Sequence, residues 1–210
     1  MVTAKELQSA PIADRFDHLL GVIGSQKFLR MEGLGKEVPF FVIPFDPAET
    51  IDMDKLKDQL ISKLKHKGIR VLEVNLYDLT KELMEQQVFE GQTDWEFWIE
   101  NEPAQGKEEL LKAIQSLVDS EKKIAPAFAE KIENTDFDIM FITGVGEVFP
   151  FIRSHTVLNN LQSVATAHPT VMFFPGDYSY SIEEGASLDL FGELRDDKYY
   201  RAFNMYEREA

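Results

Sequence analysis

Three acidic side chains follow predicted strands of this sequence and offer the oxygen ligands that chemistry at a sheet edge would need. Asp46, Asp78 and Glu147 each come after an apolar run. Because the carboxyl ends of parallel strands meet at one edge, these carboxylates would converge and hold Mg²⁺. Backbone amides after Gly146 would receive an anion at a helix start, and His155 would act as general base near neutral pH. One alternative is therefore a Mg²⁺-dependent nucleotide or phospho-ligand binding protein or hydrolase.

The same pattern has a structural interpretation, because acidic residues at strand ends are common turn and cap residues. No Ser or Thr lies in a nucleophile-elbow pattern. The chain has no cysteine, which excludes disulfides, thiolate metal sites and thiol nucleophiles. The four histidines show no metal-ligand spacing: His18, His66, His155 and His168. We therefore predict no catalytic residues, no metal site, no cofactor and no enzymatic activity.

The stretch 144–161 carries the polar residues that most need explanation. An apolar run at 139–143 leads into Gly144 and Gly146, and Pro150 suits the first turn of a helix. Arg153 would then lie in that first turn, where the helix dipole disfavours a cation by up to about 1 kcal/mol. An ion pair with Glu147 or a bond to a loop carbonyl is one explanation. The other is a polar strand-end surface for a partner or ligand, which would include Arg153, His155, Asn159 and Asn160.

Composition limits the classes of partner. At 210 residues the chain suits one α/β domain over 1–210 with a sizeable core. The formal charge of −15, from 22 basic and 37 acidic residues, repels phosphate backbones and weighs against direct nucleic-acid binding. No apolar run approaches the roughly 18 residues of a membrane span, and no signal-like segment begins the chain. The expectation is a soluble, cytoplasmic protein with no membrane contact.

An acidic, aromatic segment follows the second predicted strand. Seven acids lie between Lys81 and Lys107 with no basic residue among them, and a solvated face is the simplest explanation. Trp95, Phe97 and Trp98 lie within this segment. Such a cluster is commonly a satellite of the core. With its acidic flanks it is also the first candidate for a protein-docking insertion.

Periodicity predicts helices alternating with strands. Amphipathic helices are expected at 16–23, at 56–64 with Gly68 as its cap, and at 110–118, continuing past Ala125 with a kink or break at Pro126. Strands are expected at 38–45 with a proline interruption near its exit, and at 69–76, 139–143, 170–174 and 199–206. A turn is expected at 175–178 and a surface loop at 181–187. This alternation predicts a mostly parallel sheet covered on both faces.

Several blocks of the sequence resemble one family. They are 33–41 (GLGKEVPFF), the stretch 144–161, 173–178 (FFPGDY), 190–192 (LFG) and 199–204 (YYRAFN). In this order and spacing they resemble BrxB, the small component of BREX bacteriophage-exclusion systems, over nearly the whole chain.

The resemblance implies a cytoplasmic bacterial antiviral defence protein encoded beside a P-loop ATPase, a DNA methyltransferase and a PglZ-type phosphatase-superfamily protein. It implies a Rossmann-like fold, P-loop-NTPase-like without a Walker A loop, and no established enzymatic activity. The residues agree with the missing loop, since Gly33, Gly35 and Lys36 come before the first strand whereas a Walker A motif follows one.

We therefore favour an interaction subunit over the Mg²⁺-dependent alternative. It would dock a PglZ-like protein and, as a second candidate, the BREX ATPase. The docking segment would contain Trp95, Phe97 and Trp98. A binding or structural strand-end surface would contain Gly144, Gly146, Glu147, Arg153, His155, Asn159, Asn160, Pro175, Gly176, Arg201 and Asn204.

Overall fold

A parallel five-stranded sheet forms the centre of the protein. The computed structural model describes residues 3–33, 39–161, 164–181, 185–192, 194–195 and 202–209. The strands in this part of the chain are β1 (Phe40–Phe45), β2 (Val71–Asn75), β3 (Val88–Phe89), β4 (Gln92–Thr93), β5 (Ile139–Thr143), β6 (Thr170–Ser181), β7 (Gly185–Leu190), β8 (Leu194–Arg195) and β9 (Phe203–Asn204). The central order is β2-β5-β6-β1-β9, and every pair in it is parallel. Strands β7 and β8 extend the sheet antiparallel from the far half of β6, and β3 and β4 form a separate hairpin.

Helices lie between the strands in the described ranges. They are α1 (Ala4–Gln8), α2 (Ile12–Ile23), α3 (Gln26–Leu29), α4 (Thr50–His66), α5 (Leu76–Glu85), α6 (Asp94–Asn101), α7 (Lys107–Leu117), α8 (Ala125–Glu133) and α9 (Ser154–Leu161). Short 3₁₀ turns occur at Pro47–Glu49, Glu102–Ala104 and Met205–Glu207, and a π turn at Ser120–Ile124. No described helix is both long enough and apolar enough to cross a bilayer.

The sheet is covered on both faces, as the sequence predicts. Phe41 and Ile43 of β1 pack with α2 and α4 in one apolar cluster, whereas Phe40 and Val42 pack in a second cluster with α5, α8 and α9. Because successive strand residues point to opposite faces, a strand buried throughout must be apolar at every position. All six residues of β1 and all five of β5 are buried. An α/β fold with a mostly parallel sheet is thereby confirmed.

The predictions of α2 and α4 are confirmed, whereas the prediction for the helix that contains α7 is wrong about where it ends. Helix α4 is followed by Gly68 at φ +77°, which glycine adopts without strain. Helix α7 ends at Leu117, so the expected continuation past Ala125 is wrong. The Asp119 carboxylate accepts hydrogen bonds from the amides of Glu121 and Lys122 and starts the π turn instead. Pro126 does not kink a helix, because it lies in the first turn of α8, where its missing N–H costs nothing.

The expected turn at 175–178 is wrong, because β6 continues through it to Ser181. Gly176 lies opposite Leu190 of β7, and a Cβ there would be 2.2 Å from the Asp189 carbonyl oxygen. This glycine therefore serves a close approach of two backbones rather than a turn. Residues 185–187 of the expected loop belong to β7. Pro44 likewise does not interrupt β1, where it lies in register with Phe174 of β6.

The helix expected directly after Gly146 begins later, at Ser154. Residues 144–153 form a loop whose Val145, Val148 and Ile152 side chains are buried, and these three anchors hold it outside helical geometry. The Phe149–Pro150 peptide bond is cis. Pro150 lies within this loop and not in the first turn of a helix, because α9 begins four residues later at Ser154. Arg153 directly precedes the helix, and its carbonyl oxygen accepts the Val157 amide at 3.2 Å. The cation therefore still lies at the positive end of the helix dipole, although not within the first turn.

Two strand ends also differ from expectation. Strand β2 stops at Asn75, because that side chain accepts hydrogen bonds from the amides of Tyr77 and Asp78 and starts α5. Asp78 is therefore inside a helix rather than after a strand. Of the strand expected at 199–206, residues 203–204 form β9 and 205–207 form a 3₁₀ turn. Residues 199–201 lie outside the described part of the chain.

Candidate functional site

The loop at 144–153 follows β5 and lies against residues of β2 and β6. Gly144, at φ +70°, lies against the side chain of Asn75 at the end of β2, where a Cβ would be 2.5 Å from Oδ1. Gly146 lies against Pro175 of β6 and Phe191, at 3.0 and 3.1 Å from its ideal Cβ position. The structure thus brings the predicted residues Gly144, Gly146 and Pro175 to one edge of the sheet.

An apolar groove opens beside this loop. Helices α5, α6 and α7 form its other walls, and its volume is about 180 Å³. Tyr77 and Trp95 meet edge to face with ring centroids 6.0 Å apart, and the Lys81 ammonium lies 5.6 Å from the centroid of Trp95. We define the aromatic groove by six of its side chains: Tyr77, Met84, Trp95, Trp98, Ile114 and Phe151.

Local sequence explains why the two tryptophans face this groove. Thr93 and Glu96 form a capping box at the start of α6, with each side chain accepting from the other's backbone amide. The cap fixes the direction of a helix of only eight residues. Trp95 and Trp98 are three residues apart, so they lie on the same side of it. Both pack against the apolar cluster beneath, which agrees with the core-satellite interpretation of the sequence.

Other apolar side chains of the same segment face solvent. Phe89 is 75% exposed, Val88 63% and Ile99 55%. Of eight exposed large apolar side chains in the described ranges, five lie between residues 77 and 99. We call this the exposed apolar segment, and its members are Tyr77, Val88, Phe89, Phe97 and Ile99. The predicted docking residues are therefore divided: Phe97 is exposed, whereas Trp95 and Trp98 line the groove.

Glu147 lies at the end of the groove nearest the sheet. Partial burial raises the pKa of its carboxyl above the ordinary value, and the nearby carboxylates of Asp54 and Asp78 raise it further, whereas Lys57 lowers it. Lys57 is itself committed elsewhere, since its Nζ lies 2.7 Å from Glu73 Oε1 and 3.1 Å from Asp58 Oδ1. Negative charge is thus concentrated at this end of the groove.

The polar residues of α9 and its entry lie in a different place. Arg153 is exposed, and with Thr156 and Asn160 it lines a polar hollow of about 350 Å³ that also contains Asp119 and Glu121. Within the described residues Arg153 forms no ion pair with Glu147. His155 is half-buried and Asn159 is exposed. Neither lines the aromatic groove.

The remaining predicted residues are spread along the sheet. Gly176 lies with Asp46 and Asp177 around a polar cavity of about 450 Å³ at the ends of β1 and β6. Asn204 is buried at the far edge, where its side chain accepts a 3.0 Å hydrogen bond from the Tyr206 amide. Arg201 lies outside the described residues. The predicted surface is therefore not one contiguous site.

The three strand-end carboxylates do not form a metal-ligand group. Asp46 caps the 3₁₀ turn after β1 by accepting from the Ala48 amide at 2.9 Å. Asp78 lies in the first turn of α5. In the part of the chain that is described, no cluster of three or more His, Asp or Glu side chains has a geometry suited to a metal ion.

Sequence reasoning missed Asn75, Tyr77 and Phe151 as members of this site. A signal existed for Asn75, since Asn before a helical pattern is a common N-cap. No signal existed for Tyr77 and Phe151, which are 74 positions apart in the chain and meet only through the β2–β5 pairing.

Comparison with known proteins identifies the family. A family profile described as "BREX protein BrxB" matches residues 72–205. A "BREX protein BrxB" of Bacillus cereus (strain H3081.97) is 33% identical over 201 residues, which cover 94% of this chain and 98% of that protein. A protein of the same name from Escherichia coli O9:H4 (strain HS) is 27% identical over 194 residues, covering 91% and 90%. No solved structure matches the chain. The groove, its acidic end and the sheet that positions them therefore belong to a member of the BrxB family.

Proposed function

We propose that this protein is a non-enzymatic adaptor in the cytoplasm that docks other components of a BREX system. Family membership makes it a BREX component and places it in antiviral defence by bacteriophage exclusion. The proposed partners are a PglZ-like phosphatase-superfamily protein and the BREX P-loop ATPase. Direct contact with nucleic acid would be left to those partners, consistent with the net charge of −15.

The exposed apolar segment is the observation that carries this proposal. A monomer has little reason to keep Val88 and Phe89 at 63% and 75% exposure on one hairpin strand, and Ile99 of α6 is also more than half exposed. Contiguous exposed apolar side chains with a polar rim are typical of protein interaction sites. The same part of the chain carries acids without an ion-pair partner among the described residues: Glu90, Asp94, Glu102, Glu108 and Glu109.

We also propose that the fold is Rossmann-like and P-loop-NTPase-like without a Walker A loop. Strand β1 lies inside the parallel sheet and is followed directly by a 3₁₀ turn and α4, where a Walker A loop would be placed. The turn reads Asp46-Pro47-Ala48-Glu49 and contains two carboxylates and a proline. Carboxylates repel a phosphate, and proline lacks the amide that would bind it.

Co-purification with the neighbouring BREX proteins tests the adaptor function. The tagged protein is expressed with its PglZ-like neighbour or with the ATPase, and any complex is titrated by calorimetry at two salt concentrations. We expect binding that weakens with salt, because rim charges are screened within about 10 Å at 0.1 M ionic strength.

A variant carrying Val88→Ser and Phe89→Ser should lose at least about tenfold in affinity. Ile51→Ser is the matched control, because Ile51 is 72% exposed and lies on α4, outside the exposed apolar segment. Absence of both complexes, or equal binding by the hairpin variant and the control, would contradict the adaptor proposal.

A further inference from the structure

The aromatic groove is separate from the β3–β4 hairpin and has the dimensions of a side-chain pocket. Its volume of about 180 Å³ is comparable with the roughly 150 Å³ cavities that take up a benzene ring. It is therefore large enough for one bulky aliphatic or aromatic side chain. The walls are apolar and include two tryptophans, which would make such an insertion favourable.

The walls of the groove are built from helix faces. Trp95, Trp98 and Ile99 of α6 are spaced i, i+3, i+4, and Leu110 and Ile114 of α7 are spaced i, i+4. None of the described residues that line it belongs to a strand, so an added β-strand would find no strand edge there to pair with. Side-chain ridges at helical spacing instead leave grooves into which the ridges of another helix pack.

Charge selects among amphipathic helices. Glu147 and Glu102 lie at the groove itself, and neither has an ion-pair partner among the described residues. Glu108 and Glu109 add further negative charge at the start of α7. The Lys81 ammonium, 5.6 Å from the centroid of Trp95, already pairs with Glu85 at 3.7 Å. An acidic or neutral helix would meet repulsion or gain nothing, whereas a basic helix would neutralise the rim.

We propose that the aromatic groove binds a basic amphipathic helix of a partner protein. One large apolar side chain enters the pocket lined by Trp95, Trp98 and Phe151, and Lys or Arg residues one turn away pair with Glu102 and Glu147. The raised pKa of Glu147 agrees with this, because partial burial first and the neighbouring carboxylates second disfavour its charged form, which an added cation would stabilise. This inference rests on the proposed adaptor function and specifies the chemistry of the partner segment.

Site-specific photocrosslinking in the full complex tests the proposal. A benzoylphenylalanine replaces Ile99 at the groove or, as control, Ile51 on α4, in cells that express all the BREX proteins. We expect Ile99 crosslinks to map by mass spectrometry to a basic segment whose apolar residues recur every three to four positions. A crosslink to an acidic segment, to one without helical spacing or to a second copy of this chain would overturn the inference.

Charge substitution supplies an independent measurement. Glu102→Lys should weaken the complex by at least about tenfold and Glu102→Gln by less. Glu133→Lys, an exposed acid at the end of α8, should leave affinity within about twofold. A stable complex that is insensitive to Glu102→Lys overturns the basic-helix inference while the adaptor function stands. Loss of co-purification by the unmodified protein overturns the adaptor function itself.

Discussion

The backbone of Gly144 lies so close to the side chain of Asn75 that a Cβ atom on residue 144 would collide with it. An ideal Cβ on Gly144 would be 2.5 Å from Asn75 Oδ1 and 2.9 Å from Cγ. The same Oδ1 accepts the two amides that start α5. One contact therefore fixes both the loop and the helix that face each other across the groove.

Replacement of Gly144 by Ala should lower stability by about 2 to 4 kcal/mol, because it adds a clash to the cost of a left-handed backbone. Gly68→Ala is the matched control, since Gly68 has φ +77° and open space around its Cβ position. It should cost about 1 kcal/mol. Urea unfolding measures both, and equal losses would show that the Asn75 contact has no energetic weight.

The buried guanidinium of Arg15 should make Glu49 unusually important for stability. Arg15 is 1% exposed, and its Nη1 and Nη2 atoms donate to the two Glu49 oxygens at 2.8 and 2.7 Å. Glu49→Ala leaves this cation without its partner, and we expect a loss of about 2 to 3 kcal/mol, reduced from the fully buried case because Glu49 is partly exposed.

The exposed pair Asp52–Lys55 is the control for that measurement. Asp52→Ala should cost no more than about 1 kcal/mol, because solvent screens this pair. If Glu49→Ala and Asp52→Ala unfold at the same urea concentration, the buried ion pair of Arg15 and Glu49 contributes no more to stability than the exposed pair.

Asp138 should give the protein part of its sensitivity to acid. Hydrogen bonds from the Arg70 guanidinium and amide lower the pKa of this carboxyl from 3.8 to about 2. A depressed folded-state pKa contributes stability above the unfolded value, and this contribution is lost as pH falls from about 4 towards 2. The free energy of unfolding of Asp138→Asn should therefore fall less across that window than that of the parent protein. Parallel curves of stability against pH from 5 to 2 would contradict the prediction.

Tyr206 should make the stability of the protein sensitive to alkaline pH. Burial raises the pKa of its phenol from 10.0 to about 12, although the Arg15 cation offsets part of the increase. A raised pKa means that the folded state keeps the proton, so stability is complete below about pH 10 and falls as pH rises towards 12. Tyr206→Phe should lose less stability than the parent between pH 9 and 11.

Tyr180→Phe, at an exposed position, is the control for the alkaline experiment and should follow the parent curve. Calorimetric unfolding at several pH values measures all three proteins. If Tyr206→Phe loses as much stability at alkaline pH as the parent protein does, the loss is caused by other groups.

The central strands were predictable because burial on both faces leaves an unmistakable pattern. The run 139–143 is apolar at four of five positions, and β5 has those same bounds. The segment 175–178 was misjudged for a physical reason. Pro and Gly in sequence usually signal a turn, but here Gly176 allows β6 to approach the Asp189 carbonyl. Sequence alone does not distinguish these two uses of glycine.

The candidate site was predictable in its parts and not in its assembly. Composition drew attention to Trp95 and Trp98, and position after a strand drew attention to Glu147. Their meeting with Tyr77 and Phe151 depends on β2 and β5 being neighbours. The sequence predicts that a helix starts at Pro150, which would include Phe151. In the structure it belongs to a loop anchored by Val148 and Ile152.

Strands β2 and β5 are adjacent in the sheet, with Asn75 opposite Thr143, although the chain between them runs through four helices and a hairpin. That excursion carries the exposed apolar segment and most of the groove, and it leaves and rejoins the sheet at neighbouring points. The helices of that excursion are not free to change, because α5 and α8 share an apolar cluster with Phe40 and Val42 of β1. The β3–β4 hairpin is less constrained, since Val88 and Phe89 are exposed. It can therefore diverge between relatives without disturbing the central strands.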